Sequence, residues 1–210
     1  HIMYVTQQDA WADYKLTYMG SLGASVEMPE LAPAYVGASQ VQPDSSFLLL
    51  APDQLAAAYA DVIDNGSASV FSSLFEDEGD DFLTNVTGDR ETRLAEFNST
   101  ASTTATTATL TFETLPGSQG EVALATLESG AIVAVNIYES DTVVPTTSDA
   151  VIKLESNLTV QALTGVSESA TDVTTTFSDQ LFFYVPALNS SEKIRLLGYG
   201  SNILEAKVIE

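Results

Sequence analysis

Cysteine is absent from this chain of 210 residues, and histidine occurs once, as His1. These absences exclude a Ser-His-Asp triad, a thiolate nucleophile and the ordinary zinc or copper sites. His1-Ile2-Met3 also reads as a cloning remnant, which leaves no native histidine at all. Basic residues are scarce: seven Lys and Arg stand against 29 Asp and Glu, for a formal charge of −22. A polyanion is repelled by such a surface, so nucleic acid is excluded as a partner, and an anionic membrane surface is disfavoured for the same reason. Long apolar runs are missing as well. Phe47-Leu48-Leu49-Leu50-Ala51-Pro52 falls far short of the roughly 20 residues that span a bilayer, so this fragment does not insert into a membrane.

What is present is apolar material for a core: 45% of the residues are hydrophobic, and the aromatics argue against disorder. Strong acidity, abundant Ser and Thr, and no cysteine resemble the composition of exported Gram-positive envelope proteins.

The first 46 residues read differently from the rest. Tyr14 to Gly20 has strand character, and Pro29, Pro33 and Pro43 then punctuate an extended, small-residue stretch. Residues 1–46 are therefore read as an arm and linker left from a preceding domain, and 47–210 as the domain proper. Pro52 and Asp53 suit the start of a helix that Asn65-Gly66 stops. On its wheel Leu55, Tyr59, Val62 and Ile63 face inward, while Asp53, Asp61 and Asp64 face water. Further short helices are expected over 69–75 and 89–99.

Beyond Thr103 the pattern turns to strands. Residues 108–114 alternate, and 122–127 and 131–138 follow as a hairpin around Ser129-Gly130. The polar interval 141–171 holds two short strand candidates, 151–154 and 158–163. Strands follow at 173–185, 193–197 and 203–209, the last two separated by Gly198-Tyr199-Gly200-Ser201-Asn202. Helices first and antiparallel strands afterwards give an α+β class.

This order of elements resembles the nuclear-transport-factor-2-like fold, a cone in which a strongly bent antiparallel sheet wraps N-terminal helices. The segments Leu50 to Ile63, Phe183-Tyr184-Val185-Pro186-Ala187 and Lys193 to Gly198 resemble an uncharacterised family of actinobacterial extracytoplasmic domains. The resemblance implies a membrane-anchored protein with a related preceding domain, whose end is similar to Tyr14-Lys15-Leu16. It carries no catalytic residue.

Several residues are candidates for chemistry. The acidic run Glu76-Asp77-Glu78-Gly79-Asp80-Asp81 offers carboxylate oxygens to calcium through Asp77, Asp80 and Asp81, but lacks the spacing of an EF-hand. Its other reading is a solvated loop in which Asp80 or Asp81 caps the next helix. Tyr59 is a core aromatic whose hydroxyl seeks a backbone partner, unless a buried carboxylate lies in reach. Glu113, Glu128 and Glu139 are read as polar-facing or turn residues. Arg90 and Arg93 either bind an anion or pair with neighbouring acids. On the aromatic strand Phe177, Leu181, Phe183 and Val185 share one face, and Phe182 and Tyr184 the other.

The expectation is a non-catalytic extracytoplasmic module of the cell envelope, without cofactor. It docks a partner protein through an outer sheet face on which Phe182 and Tyr184 are exposed, or takes an apolar ligand in a pocket between the first helix and the sheet beneath Tyr59, with Phe177 a further candidate for ligand or partner binding. The alternative is a cavity enzyme that uses a buried carboxylate and a tyrosine in acid–base chemistry.

Overall fold

In the computed structural model Pro52 opens α1 (Pro52–Asn65), and Gly66 closes it with φ 54°, a conformation that strains any residue with a Cβ. The structure describes residues 1–24, 26–33, 35–104, 108–154 and 157–209. Leu55, Tyr59, Val62 and Ile63 are buried, as the wheel predicts. Asp64 is not simply solvated: it accepts hydrogen bonds from the Thr114 amide and from Arg90. A 3₁₀ turn, Gly66–Ala68, follows α1, and the 69–75 segment expected as a second helix forms only another, Ser72–Leu74, before Phe75 bridges to Ile194. The next helix, α2 (Asp81–Thr104), is longer than the 89–99 segment expected.

Seven strands form an open antiparallel sheet. They are β1 (Ile2–Thr6), β2 (Lys15–Leu22), β3 (Ala108–Pro116), β4 (Val122–Ala125), β5 (Ala131–Pro145), β8 (Asp172–Val185) and β9 (Arg195–Ile209). Their order is β1-β2-β9-β8-β5-β3, with β4 pairing β5 ahead of β3 on the same edge. The molecule is thus α+β. Two short strands, β6 (Ile152–Lys153) and β7 (Glu168–Ser169), pair apart from the main sheet.

Residues 158–163, expected as a strand, instead form α3 (Leu158–Thr164). The Asn157 side chain accepts from the Val160 amide, and Gly165 stops the helix in the left-handed region. Local capping therefore outweighs the β character of its apolar residues. Residues 155 and 156 of the same interval lie outside the described residues.

The two strands expected on either side of Gly198 to Asn202 are one strand, β9. Its glycines serve close packing rather than a turn. A Cβ on Gly198 would sit 2.3 Å from the Ser21 carbonyl oxygen, and one on Gly200 would sit 2.8 Å from that of Met19. β2 approaches β9 only because those positions are bare.

Residues 1–46 supply β1 and β2 and lay Tyr4 and Tyr18 against the sheet. Among its described residues the proline-punctuated stretch has no helix or strand. Hydrogen bonds from the Val41 amide to the Ala123 carbonyl and from the Leu127 amide to the Glu30 carbonyl tie it to the sheet. Ser25 and Ala34, within this stretch, lie outside the described residues.

The core has two sides. On the helix side Leu55, Tyr59, Phe75 and Phe82 pack on Val133, Val135, Leu181 and Phe183. On the other side Phe182, Tyr184, Ile132 and Leu197 are covered by Tyr4 and Tyr18. A third cluster joins α3 through Val160 to Leu154, Val173 and Ala206 at the far end of the helix side.

Candidate functional site

Strand alternation places Phe177, Asp179, Leu181 and Phe183 of β8 on one face, the face that α1 covers at its Phe183 end. At the opposite end Val173 lies under α3 and Leu154. Between the two packed ends the face is bridged by α2 and left partly open. One cleft of about 670 Å³ is lined by Phe82, Asn85, Arg93, Glu139, Phe177, Asp179 and Tyr199. A neighbouring cleft of about 660 Å³ reaches Asp141, Val160 and Ile203. Both share Asp89, Arg93, Phe177 and Ser201, so they form one groove along the sheet.

The groove persists because α2 has few apolar residues with which to fill it. Phe82 is buried, but Leu94 is 40% exposed. Arginines hold this helix to the sheet. Arg90 donates from Nη1 to Asp64 Oδ1 at 2.8 Å and from Nη2 to Thr114 Oγ1 at 2.7 Å, and approaches Glu139 Oε2 at 3.4 Å. Arg93 donates from Nη1 to Asp141 Oδ2 at 2.7 Å. Both guanidinium groups lie over the Phe112 ring, at 5.4 and 5.6 Å from its centre. Long polar side chains bridge the gap that short apolar ones would have closed. Their pairing with Asp64, Glu139 and Asp141 replaces the local partners considered from the sequence.

Two carboxyl groups at the groove floor are perturbed. Asp179 is 1% exposed, and neither of its carboxylate oxygens accepts a hydrogen bond. Burial pushes its carboxyl up to about 6, against weaker opposite pulls from the Ser201 hydroxyl, on the residue paired with it in β9, and from Arg90. Glu139 is pushed up to about 7, first by burial, with the Asp179 and Asp141 charges adding and Arg90 and Arg93 opposing. The sequence pattern alone reads Glu139 as polar-facing or at a turn and assigns Asp179 no role. The signal was present in the alternation that puts Asp179 between Phe177 and Leu181, on the face committed to packing.

Tyr59 is fully buried among Phe75, Phe82 and Phe183 and lines neither cleft. Its hydroxyl donates to Asp80 Oδ2 at 2.7 Å rather than to the backbone. Asp80 Oδ1 accepts from the Leu83 amide at 2.8 Å, which makes Asp80 the cap of α2. Burial raises the Asp80 carboxyl above its ordinary value, while these hydrogen bonds pull it down. Asp77 and Asp81 are exposed and do not join Asp80 around a common point: among the described residues no group of three or more acidic or histidine side chains is placed to hold a metal ion.

Phe182 and Tyr184 are buried, so the condition on which they would dock a partner is not met. Phe182 stacks on Tyr4, and Arg195 lies 4.8 Å over the Tyr184 ring. Among the described residues no helix is long and apolar enough to cross a membrane.

A family model described as a domain of unknown function, DUF8094, matches residues 1–208. Comparison with curated proteins and with solved structures gave no match.

Proposed function

The chain belongs to the DUF8094 family, and we propose that it is a non-catalytic binding module that takes a small molecule in the groove between α2, α3 and the sheet. One observation carries this reading: the Phe177–Asp179 segment of a sheet face otherwise packed at both ends is left open as a cleft of ligand size. Core clusters flank the cleft at both ends. The site near Tyr59 expected from the sequence thus moves along the same face to Phe177.

Setting and ancestry belong to the same proposal. Acidity, the absence of cysteine and the segments Leu50 to Ile63 and Phe183 to Ala187 favour an extracytoplasmic place in an actinobacterial cell envelope, with anchorage outside this chain. Two helices ahead of long antiparallel strands favour an NTF2-like ancestry, here in an open sheet.

Native mass spectrometry of protein purified from its own source, before and after organic extraction, tests the reading. A discrete added mass lost on extraction supports it. A bare mass turns the proposal to docking of an envelope protein.

A second reading, acid–base catalysis, draws on Glu139 and Asp179, whose carboxyls at about 7 and about 6 are suited to proton transfer near neutrality. Tyr59 and Asp80 satisfy the distance criterion for a tyrosine–carboxylate pair but stand outside the groove. A turnover that survives Glu139→Gln and Asp179→Asn would remove this reading.

A further inference from the structure

We propose that the groove floor at Asp179 and Glu139 recognises the ammonium group of a small organic cation whose apolar part lies against Phe177 and Tyr199. The inference rests on the ligand-binding reading above and names the ligand's chemistry.

Asp179 interrupts an apolar row and is buried with both carboxylate oxygens unpaired. A buried carboxylate is costly when its nearest donor, the Ser201 hydroxyl, does not reach hydrogen-bond geometry. A donor brought by a ligand would satisfy it.

The charges around it decide which donor. From α2 come Asp89, Arg90 and Arg93; from β5, Glu139 and Asp141; from β9, the Tyr199 phenol; and from the α1–α2 junction, the Tyr59–Asp80 pair. Arg93 is committed to Asp141, and Arg90 gives its short bonds to Asp64 and Thr114. Among the described residues Glu139 has a 3.4 Å contact with Arg90 and Asp179 has no ion pair. Arg90 Nε is itself buried without an acceptor, and the two arginines face the four carboxylates of Asp89, Glu139, Asp141 and Asp179. Carboxylates are in excess, so the missing partner is a cation.

An anion would also have to approach a chain of charge −22, which instead draws cations in. A bare divalent ion needs more oxygen ligands than two carboxylates supply, and the described residues offer no such cluster. An ammonium needs only hydrogen-bond acceptors and gains from nearby aromatic rings, which Phe177 and Tyr199 supply in the same cleft. Burial keeps both carboxyls partly protonated near neutrality, and an arriving positive charge would ionise them.

The test is a titration of the purified chain at pH 8 with phenethylammonium and with its neutral isostere 2-phenylethanol, followed by amide chemical shifts and calorimetry. Phenethylammonium should bind about tenfold or more tightly than the alcohol and shift the amides of residues 177–181 and 199–201. Asp179→Asn should erase that advantage and raise the melting temperature of the ligand-free protein, because an unpaired buried charge is removed. Equal binding of the two compounds, or an advantage untouched by Asp179→Asn, overturns the inference and leaves the groove reading standing. A lower melting temperature for Asp179→Asn also overturns it, since the carboxylate would then be structural. Failure of both compounds to shift any groove amide overturns the inference and the groove reading together.

Discussion

The Tyr59 hydroxyl and the Asp80 carboxylate, each buried, share a 2.7 Å hydrogen bond that ties the middle of α1 to the cap of α2. A pair that would suggest acid–base chemistry in a cavity therefore works here as a joint between helices. Its placement follows from the two elements it connects: Tyr59 is on the inward face of α1, and Gly79, with φ 85°, turns the acidic loop so that Asp80 points back at it.

Tyr59→Phe should lower stability by about 1–3 kcal/mol, because Asp80 loses a donor while remaining buried. Urea unfolding measures the loss. Binding in the groove should be unchanged in the folded variant, since neither residue lines it.

Stability should rise as pH falls from 8 to 5. Folding raises the Asp179 carboxyl from 3.8 to about 6 and the Glu139 carboxyl from 4.5 to about 7. A carboxyl that holds its proton more tightly when folded contributes stability that is complete below its unfolded value and is lost as pH rises through the folded one. For Asp179 the difference is on the order of 3 kcal/mol. The charge of −22 acts in the same direction. The Asp179→Asn, Glu139→Gln double variant isolates the pair, and its urea midpoint should depend less steeply on pH than that of the parent.

Arg90→Met should loosen α2. The substitution leaves Asp64 and Glu139 without their guanidinium partner and Thr114 without its donor. Removing one partner of a buried ion pair costs 3–5 kcal/mol; because 27% of the Asp64 side chain is still exposed, about 2 kcal/mol is expected here. Hydrogen exchange should show the amides of α2 opening before those of α1.

Gly198→Ala should detach β2 from β9. The new Cβ would meet the Ser21 carbonyl oxygen at 2.3 Å and Leu22 Cα at 2.9 Å, both backbone atoms that only a shift of the strand can relieve. Loss of about 1–3 kcal/mol is expected. Phe182 and Leu197 would be uncovered, and binding of a hydrophobic dye should report it.

Most of the architecture was legible in short-range pattern. The Pro52 start and Gly66 stop of α1, the two faces of β8, and α+β class all follow from local periodicity and capping. α3 was missed because Leu158, Val160 and Leu163 suit a strand, while the Asn157 cap and the Gly165 stop lie just outside that run. The glycines of β9 were misread because a bare backbone serves a turn and a close strand approach equally well, and only the partner strand distinguishes them.

The candidate site was less legible. Phe177 was identified by its face, but Asp179 and Glu139 come together in one cleft only because β5 and β8 pair in one register and α2 crosses above them. By itself the sequence determined the charge, the absence of cysteine, the class of fold and which side chains face inward. Those properties are set residue by residue or within a few neighbours. The tertiary structure decided that Tyr59 meets Asp80, that residues 1–46 cover Phe182 and Tyr184, and that an unpaired carboxylate lies beneath α2. Each depends on groups far apart in the chain, whose burial and spacing arise only when the strands are in register and the helices are seated.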